Sequence, residues 1–269
     1  MTTPEYIDAH VHLRITEGLA DAVAAGVVAV RDAGTKDGAC LRISRQSMPV
    51  VISAGWALGK RGGYGSLFGV ALESREQIAG EIQKLKKAGA GIIKVIASGV
   101  VSLKRPGEIT VGGFDREDLR FIVDTARKNG LDVMAHANGE AAIIDAAEAG
   151  VRSVEHGFFM TDKALSILQA NNVFWVPTLG ALQRAADQPD VGREAKLFVE
   201  RVIDEHLALL HKAFERGVPL AIGTDAVLPD RRYRGFYEAE LMYYRRAGIP
   251  GDAVRLIACE GGKKLIGAK

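Results

Sequence analysis

Two histidines separated by one residue, His10 and His12, stand in the run Tyr6-Ile7-Asp8-Ala9-His10-Val11-His12-Leu13. In a β-strand alternate residues share a face, so both imidazoles can converge on one point while Ile7, Ala9 and Val11 face the other way. Such a pair is half of a metal site. Partners stand at the ends of later β-branched runs: His136 closes Val133-Met134-Ala135, His156 closes Val154-Glu155, and Asp225 follows Gly223-Thr224. Four of the six histidines in the chain lie in such runs. Lys94 is set among Ile92, Ile93, Val95 and Ile96, where an unpaired ammonium is expensive to bury. The pKa of lysine falls readily in such a place. The neutral amine can then take up CO2 to give a carbamate, an anionic two-oxygen ligand able to bridge two cations.

These residue types define an expectation. His10, His12 and Asp225 hold one divalent ion, His136 and His156 hold a second, and carbamylated Lys94 bridges them. Imidazole and carboxylate donors suit Zn, Mn, Fe, Co or Ni rather than Ca or Mg. Paired ions acidify a shared water and polarise a carbonyl or phosphoryl oxygen. Asp225, touching both metal and hydroxide, is the catalytic acid/base that takes the proton of the water and passes it to the leaving group. Hydrolysis follows.

Ligands on separate strand ends need a scaffold that gathers those ends. Eight short β-branched runs are predicted as strands: Ile7–Leu13, Val27–Arg31, Val50–Ala54, Ile92–Ala97, Asp132–Ala137, Ser153–Phe158, Phe174–Thr178 and Leu220–Thr224. Helices are predicted between them at about Glu17–Ala25, Gly38–Arg45, Glu73–Ala88, Asp115–Asn129, Glu140–Ala149, Thr161–Ala170 and Arg193–Arg216, and after the last strand at Gly235–Ala247 and Pro250–Leu265. Several end at a glycine just before the next strand, as at Gly89, Gly130 and Gly150, which is helix-stop chemistry. Eight βα units in 269 residues predict a single α/β domain over 1–269, a (β/α)8 TIM barrel, with a doubly wound open sheet as the alternative. The segments Gly55–Leu72, Ser98–Phe114 and Leu179–Gly192 read as loops on the face of the barrel that carries active sites. Their Gly62-Gly63 and Gly112-Gly113 pairs do not open helices in a G-x-G-x-x-G pattern and do not read as phosphate cradles.

Composition excludes several classes. A net charge of +2 and 25% charged residues give no electrostatic case for nucleic acid or a membrane surface as partner. No basic n-region with an apolar core opens the chain, and no apolar run reaches the length of a membrane span, so a cytoplasmic protein acting on a small-molecule substrate is expected. Cys40 and Cys259 form no C-x-x-C motif, which argues against a disulfide scaffold or a cysteine zinc site. The sequence leaves the oligomeric state open, a homo-oligomer included.

The motifs together resemble the amidohydrolase superfamily, in particular the subgroup of metal-dependent Xaa-Pro dipeptidases, arginine/lysine carboxypeptidases and imidazolonepropionase-like hydrolases. The resemblance rests on Ile7 to Leu13, Val30-Arg31-Asp32-Ala33-Gly34, Ile93 to Gly99, Ala135-His136-Ala137-Asn138-Gly139, Val154-Glu155-His156-Gly157 and Ile222-Gly223-Thr224-Asp225-Ala226, with Glu240-Leu241 and Ala247-Gly248-Ile249-Pro250 at the close. It implies the same ligand roles and Lys94 as carboxylysine. Relatives carry a small β-sandwich built from segments flanking the barrel, and the chain reads as a bare barrel without it. Where relatives have Gly-Gly-His after strand three, the chain has Arg61-Gly62-Gly63-Tyr64-Gly65. The function implied is cleavage of an amide or ester/lactone bond of a small substrate such as a dipeptide or N-acyl amino acid. Phosphotriester hydrolysis uses the same metal pair. A mononuclear deaminase is an alternative, although such relatives place a Glu just after the strand-five His and do not need Lys94. A metal-binding module without turnover is another.

Other residues carry weaker expectations. Arg231, with Lys60, Arg61, Lys104, Arg105, Arg232 and Arg234, is a candidate for binding a substrate carboxylate. Tyr64, Trp56 and Tyr233 are candidates to line the pocket. His206 and His211 read as a solvated helix face, and Glu155 as pointing away from the ligand beside it, toward helix packing or a hydrogen bond that supports the site.

Overall fold

The computed structural model describes residues 5–14, 19–43, 48–65 and 68–267. β1 (Tyr6–Leu13), β2 (Val27–Asp32) and β3 (Val50–Ser53) pair in parallel in chain order. β4 (Ala57–Lys60) continues β3 past a break at Gly55, and the Gly91 N–H donates to the Ser53 carbonyl to carry the wall onward. Gly55 holds a positive φ of 72°, and a Cβ there would stand 2.8 Å from Leu41 and Leu85 side-chain carbons, so the break needs glycine. β4 pairs on one side with β5 (Gly69–Leu72) and on the other with β6 (Ile92–Ile96). From β6 the parallel order runs through β7 (Asp132–Ala137), β8 (Ser153–His156) and β9 (Phe174–Val176).

Residues 220–225 close the ring. A parallel bridge joins Leu220 to Trp175, the Ala9 N–H donates to the Ile222 carbonyl, and the Asp225 N–H to the His10 carbonyl. The chain then re-forms β10 (Ala226–Leu228) on the end of β1. Eight strand positions in a parallel ring are the predicted barrel. Parallel strands covered on the outside by helices read as continuous apolar runs, which is why Ile92–Ile96 is buried throughout.

Around the ring lie α1 (Leu19–Ala24), α2 (Arg75–Lys87), α3 (Arg116–Lys128), α4 (Glu140–Ala149), α5 (Asp162–Ala170), α6 (Leu179–Ala186), α7 (Arg193–Glu215) and α8 (Tyr233–Arg246), followed by α9 (Gly251–Leu256) and, after a π turn, α10 (Gly262–Ile266). Ser74, Asp115 and Thr161 cap α2, α3 and α5 by accepting the N–H three residues on. The predicted start of the first helix at Glu17 and the end of the second at Arg45 lie outside the described residues, and the described part of the second is a 3-10 turn, Ala39–Arg42. Two predicted loops contain structure. Gly55–Leu72 forms β4 and β5, and Leu179–Gly192 begins with α6, whose Leu179, Leu182 and Ala186 face the core. Among the described residues no helix is long and apolar enough to cross a membrane.

Candidate metal centre

At the C-terminal ends of the strands the ligand candidates meet. His10, His12, Lys94, His136, His156 and Asp225 wall a cavity of about 50 Å³, together with Ala57, Tyr64, Phe68 and Ile96. Donor atoms of His10, His12 and Asp225 lie within 4.8 Å of one another. Asp225 Oδ1 stands 3.3 Å from His12 Nε2 and 3.5 Å from His10 Nε2. The His136 and His156 rings lie 4.6 Å apart, and His156 and His10 5.1 Å.

Each histidine is held from behind. His10 Nδ1 meets Glu155 Oε2 at 2.7 Å, His12 Nδ1 meets the Gly34 carbonyl at 2.6 Å, His136 Nε2 meets the Gly99 carbonyl at 2.9 Å, and His156 Nδ1 meets Thr178 Oγ1 at 2.6 Å. Assigning the proton of each ring to the nitrogen so engaged leaves one lone-pair nitrogen per ring. A ligating imidazole needs this arrangement, and its acceptor fixes tautomer and ring angle. His10 Nε2 is buried without a hydrogen-bond partner among the described residues. A buried polar atom left so is costly unless something binds it, so the donor set fits a divalent metal.

Electrostatics agree. Burial, and then the Lys94 ammonium, push His10 down to about 4 and His136 to about 3; burial and then His136 take His156 well below its ordinary value. These imidazoles are neutral at pH 7, as ligands must be. Burial opposes charge on Asp225, but His10, His12 and His156 outweigh it and hold the carboxyl well below its usual range. Burial lowers Lys94 to about 8 despite Glu155 and Asp225.

Beneath the cavity the barrel interior is polar. Glu155 Oε1 accepts from Arg31 at 2.8 Å, and Arg31 also donates to Ser153 Oγ at 2.8 Å and to the Ala9 carbonyl at 2.7 Å. β2 and β8 are not neighbours, so Arg31 and Glu155 meet across the barrel. Burial acts to raise Glu155, but Arg31 and His10 outweigh it and keep the carboxyl at about 2. The expectation that Glu155 points away from the ligand beside it is therefore corrected in direction. His156 adopts a positive φ of 67°, which breaks the strand alternation and lets consecutive side chains both face inward. Asp8 plays a similar supporting part: it accepts the His10 and Thr224 N–H groups, the Thr224 hydroxyl at 2.6 Å and the Tyr233 hydroxyl at 2.8 Å.

Several expected site residues stand elsewhere. Tyr233 is fully buried with its hydroxyl committed to Asp8, so it does not line the cavity. The ring N–H of Trp56 donates to Glu81 on α2. Arg231 is exposed and outside the cavity wall. Lys60 pairs with Asp115 and Asp118, Arg61 with Glu73, Arg105 with Glu108, Arg232 with Asp230 and Arg234 with Glu238, and none of them lines the cavity. Tyr64 stands in the wall, its ring 5.0 Å from that of His136, with burial and then Asp225 raising its phenol to about 12. His206 corrects the solvated-face reading. It is 2% exposed, and its Nε2 donates to the His156 carbonyl at 3.0 Å beside the Trp175 N–H at 2.9 Å, so two donors pin the strained turn. His211 is half-exposed and pairs with Glu215.

The family described as the amidohydrolase family matches residues 1–256. Ochratoxinase of Aspergillus niger is 28% identical over 206 residues, 66% of the chain and 42% of that protein, so the match spans about two fifths of this relative. An uncharacterised protein of Mycobacterium bovis is 24% identical across 98% of the chain and 74% of its own length. Among solved structures, a Xaa-Pro dipeptidase with bound methionine superposes with a TM-score of 0.82 at 22% identity, covering 98% of the chain and 75% of that structure. The A. niger ochratoxinase structure gives 0.79 at 22% identity over 98% and 71%. At these identities the superpositions show a shared fold.

Proposed function

The chain belongs to the amidohydrolase family, and on that premise we propose that it hydrolyses an amide, or an ester or lactone, bond of a small substrate such as a dipeptide or N-acyl amino acid, with two divalent ions in the cavity. The observation that carries this reading is the wall itself: ligand-type side chains from five strand positions converge, and each imidazole has its second nitrogen already engaged. His10, His12 and Asp225 would hold one ion, His136 and His156 the other, and Lys94, as its carbamate, would serve both. When bound, such ions supply an acidified water and a Lewis acid for the scissile carbonyl; Zn is the first expectation, with Mn, Fe, Co and Ni also suited to these donors.

The residues of the chain do the rest. Asp225, ionised among three histidines, accepts the proton of the attacking water and returns it to the leaving nitrogen or oxygen. Tyr64 is the polar group in the wall that is not assigned to a metal, and as a neutral phenol its hydroxyl is suited to donate to the substrate carbonyl oxygen. Phe68, stacked on His12 at 4.4 Å, and Ile96 give the cavity an apolar side. The names of the relatives, an ochratoxinase and a Xaa-Pro dipeptidase, support an amide-type substrate.

The test is metal per chain by elemental analysis, on protein purified without chelators, followed by turnover of dipeptides, N-acyl amino acids and lactones. About two ions with turnover are expected. About one ion favours a mononuclear deaminase. No ion, after reconstitution with Zn or Mn and bicarbonate, overturns the reading.

A further inference from the structure

Helix α6 is tied to two of the candidate ligand residues at once. Its N-cap, Thr178, is fully buried with a positive φ of 51°, and its hydroxyl meets His156 Nδ1 at 2.6 Å. Two turns along, Arg184 Nη2 donates to the Thr224 carbonyl at 2.7 Å and the Asp225 carbonyl at 3.2 Å, while its guanidinium lies 4.4 Å over the Phe236 ring. Helix α6 therefore contacts both the His156 ring and the Asp225 backbone.

Besides the core packing of Leu179, Leu182 and Ala186, the first turn of α6 is held by Glu240, reaching from α8. It is fully buried, and its Oε1 accepts the Gly180 N–H at 2.5 Å, one of the amides that a helix N-terminus leaves open. Its Oε2 has no partner among the described residues. Gly180 is what permits the approach, because a Cβ there would stand 2.7 Å from Glu240 Oε1 and 3.1 Å from Arg184 Nη1. A buried carboxyl with one oxygen unmatched costs stability. The mechanism above makes no use of it, which leaves the α6 contact as what the cost secures.

We infer that Glu240 is a positioning residue: it latches the first turn of α6 and through Thr178 and Arg184 fixes His156 and Asp225 for metal binding. The inference rests on the metal-site reading above. Burial pushes the Glu240 carboxyl up to about 8, so it is mainly neutral at pH 7 and Gln is its near-isostere.

The test is Co2+ titration of the full chain, followed by visible absorption, for wild type, Glu240→Gln, Glu240→Leu and Gly180→Ala, with Thr178→Val alone and combined with Glu240→Leu. Glu240→Gln should match wild type. Glu240→Leu and Gly180→Ala should weaken Co2+ binding roughly 10- to 100-fold and shift the absorption band. Thr178→Val should add little once Glu240 is lost, because residues acting along one path are not additive. Gly180→Ala, a one-methyl change, carries the test where Glu240→Leu fails to fold. Lowered thermal stability with unchanged Co2+ affinity and spectrum in the folded variants overturns the inference alone. A wild-type protein that binds no Co2+ overturns the metal-site reading and the inference with it.

Discussion

The buried pair of Glu155 and Arg31 is open to a quantitative test by Glu155→Gln. The substitution keeps the shape of the side chain and an oxygen for His10 Nδ1–H, removes the charge, and puts an NH2 group where Oε1 accepts from Arg31 and Ser153. The carboxyl sits at about 2 against an ordinary 4.5. At about 1.4 kcal/mol per pKa unit, the environment stabilises the ionised form by roughly 3 kcal/mol. Removing one partner of a buried pair costs about 3–5 kcal/mol, because the other charge is left uncompensated, and here that charge is Arg31. The two routes agree. For a chain of this size roughly 3 kcal/mol corresponds to about 6–10 °C in Tm.

The assay is thermal unfolding of chelator-treated protein at pH 7, so that metal binding does not enter. Replacing both partners, Arg31→Met with Glu155→Leu, should recover most of the loss, since apolar groups of similar volume carry no desolvation cost. That double variant should still bind metal roughly 10- to 100-fold more weakly, because His10 Nδ1–H has lost its acceptor. A Glu155→Gln protein melting within about 2 °C of wild type would refute the energetic argument. Wild-type metal affinity in the double variant would refute the orienting role of the carboxylate.

Three further outcomes are expected. Lys94→Ala should lose most bound metal and turnover, with partial rescue by added short carboxylates; unchanged metal content removes Lys94 as a ligand. Asp225→Asn should fold and retain much of its metal but lose about 100-fold or more in turnover, the scale of a positioned proton-transfer group, and near-normal rates would remove it as the proton shuttle. His206 is held neutral by burial at about 4, against an ordinary 6.5. The unfolded chain therefore takes up a proton below pH 6.5 that the folded chain refuses, and metal-free wild type should lose about 1 kcal/mol more than His206→Gln between pH 7.5 and 5.5. Parallel pH profiles would show that His206 is charged in the fold.

The ring of strands and the convergence of the candidate ligand residues were legible in the sequence because two simple periodicities govern them. An apolar run of four to six residues, buried on both sides, can only be a parallel strand or a buried helix, and the glycines ending α3 and α4 settle the alternation. The i, i+2 spacing of His10 and His12 fixes both on one face whatever the rest of the chain does. What escaped depends on local departures from those periodicities. His156, Thr178 and Asp225 all take positive φ, at 67°, 51° and 51°. At such a residue the alternation of a strand fails, so no count along the sequence reveals that Glu155 and His156 both point inward.

The supporting residues escaped for a second reason. Arg31, Glu155, His206 and Glu240 act across the barrel or between helices, over separations of 50 to 124 residues in the contacts that define them. Arg31, His206 and Glu240 read locally as ordinary surface-type residues, and for Glu155 the sequence offered a supporting hydrogen bond without its partner. His206 lies among Glu200, Arg201, Asp204 and Glu205, and nothing in that run marks one helical position as facing inward. The structure supplies the signal that the sequence lacks: a non-glycine residue with positive φ must be held there by its surroundings. The His156 carbonyl is held by Trp175 and His206, its ring by Thr178, and Thr178 stands at the start of the helix whose Gly180 N–H donates to Glu240. Strain at the candidate ligands and burial of otherwise unexplained polar residues behind them are thus two sides of one arrangement, and substitutions in that supporting layer should alter metal affinity before they alter the fold.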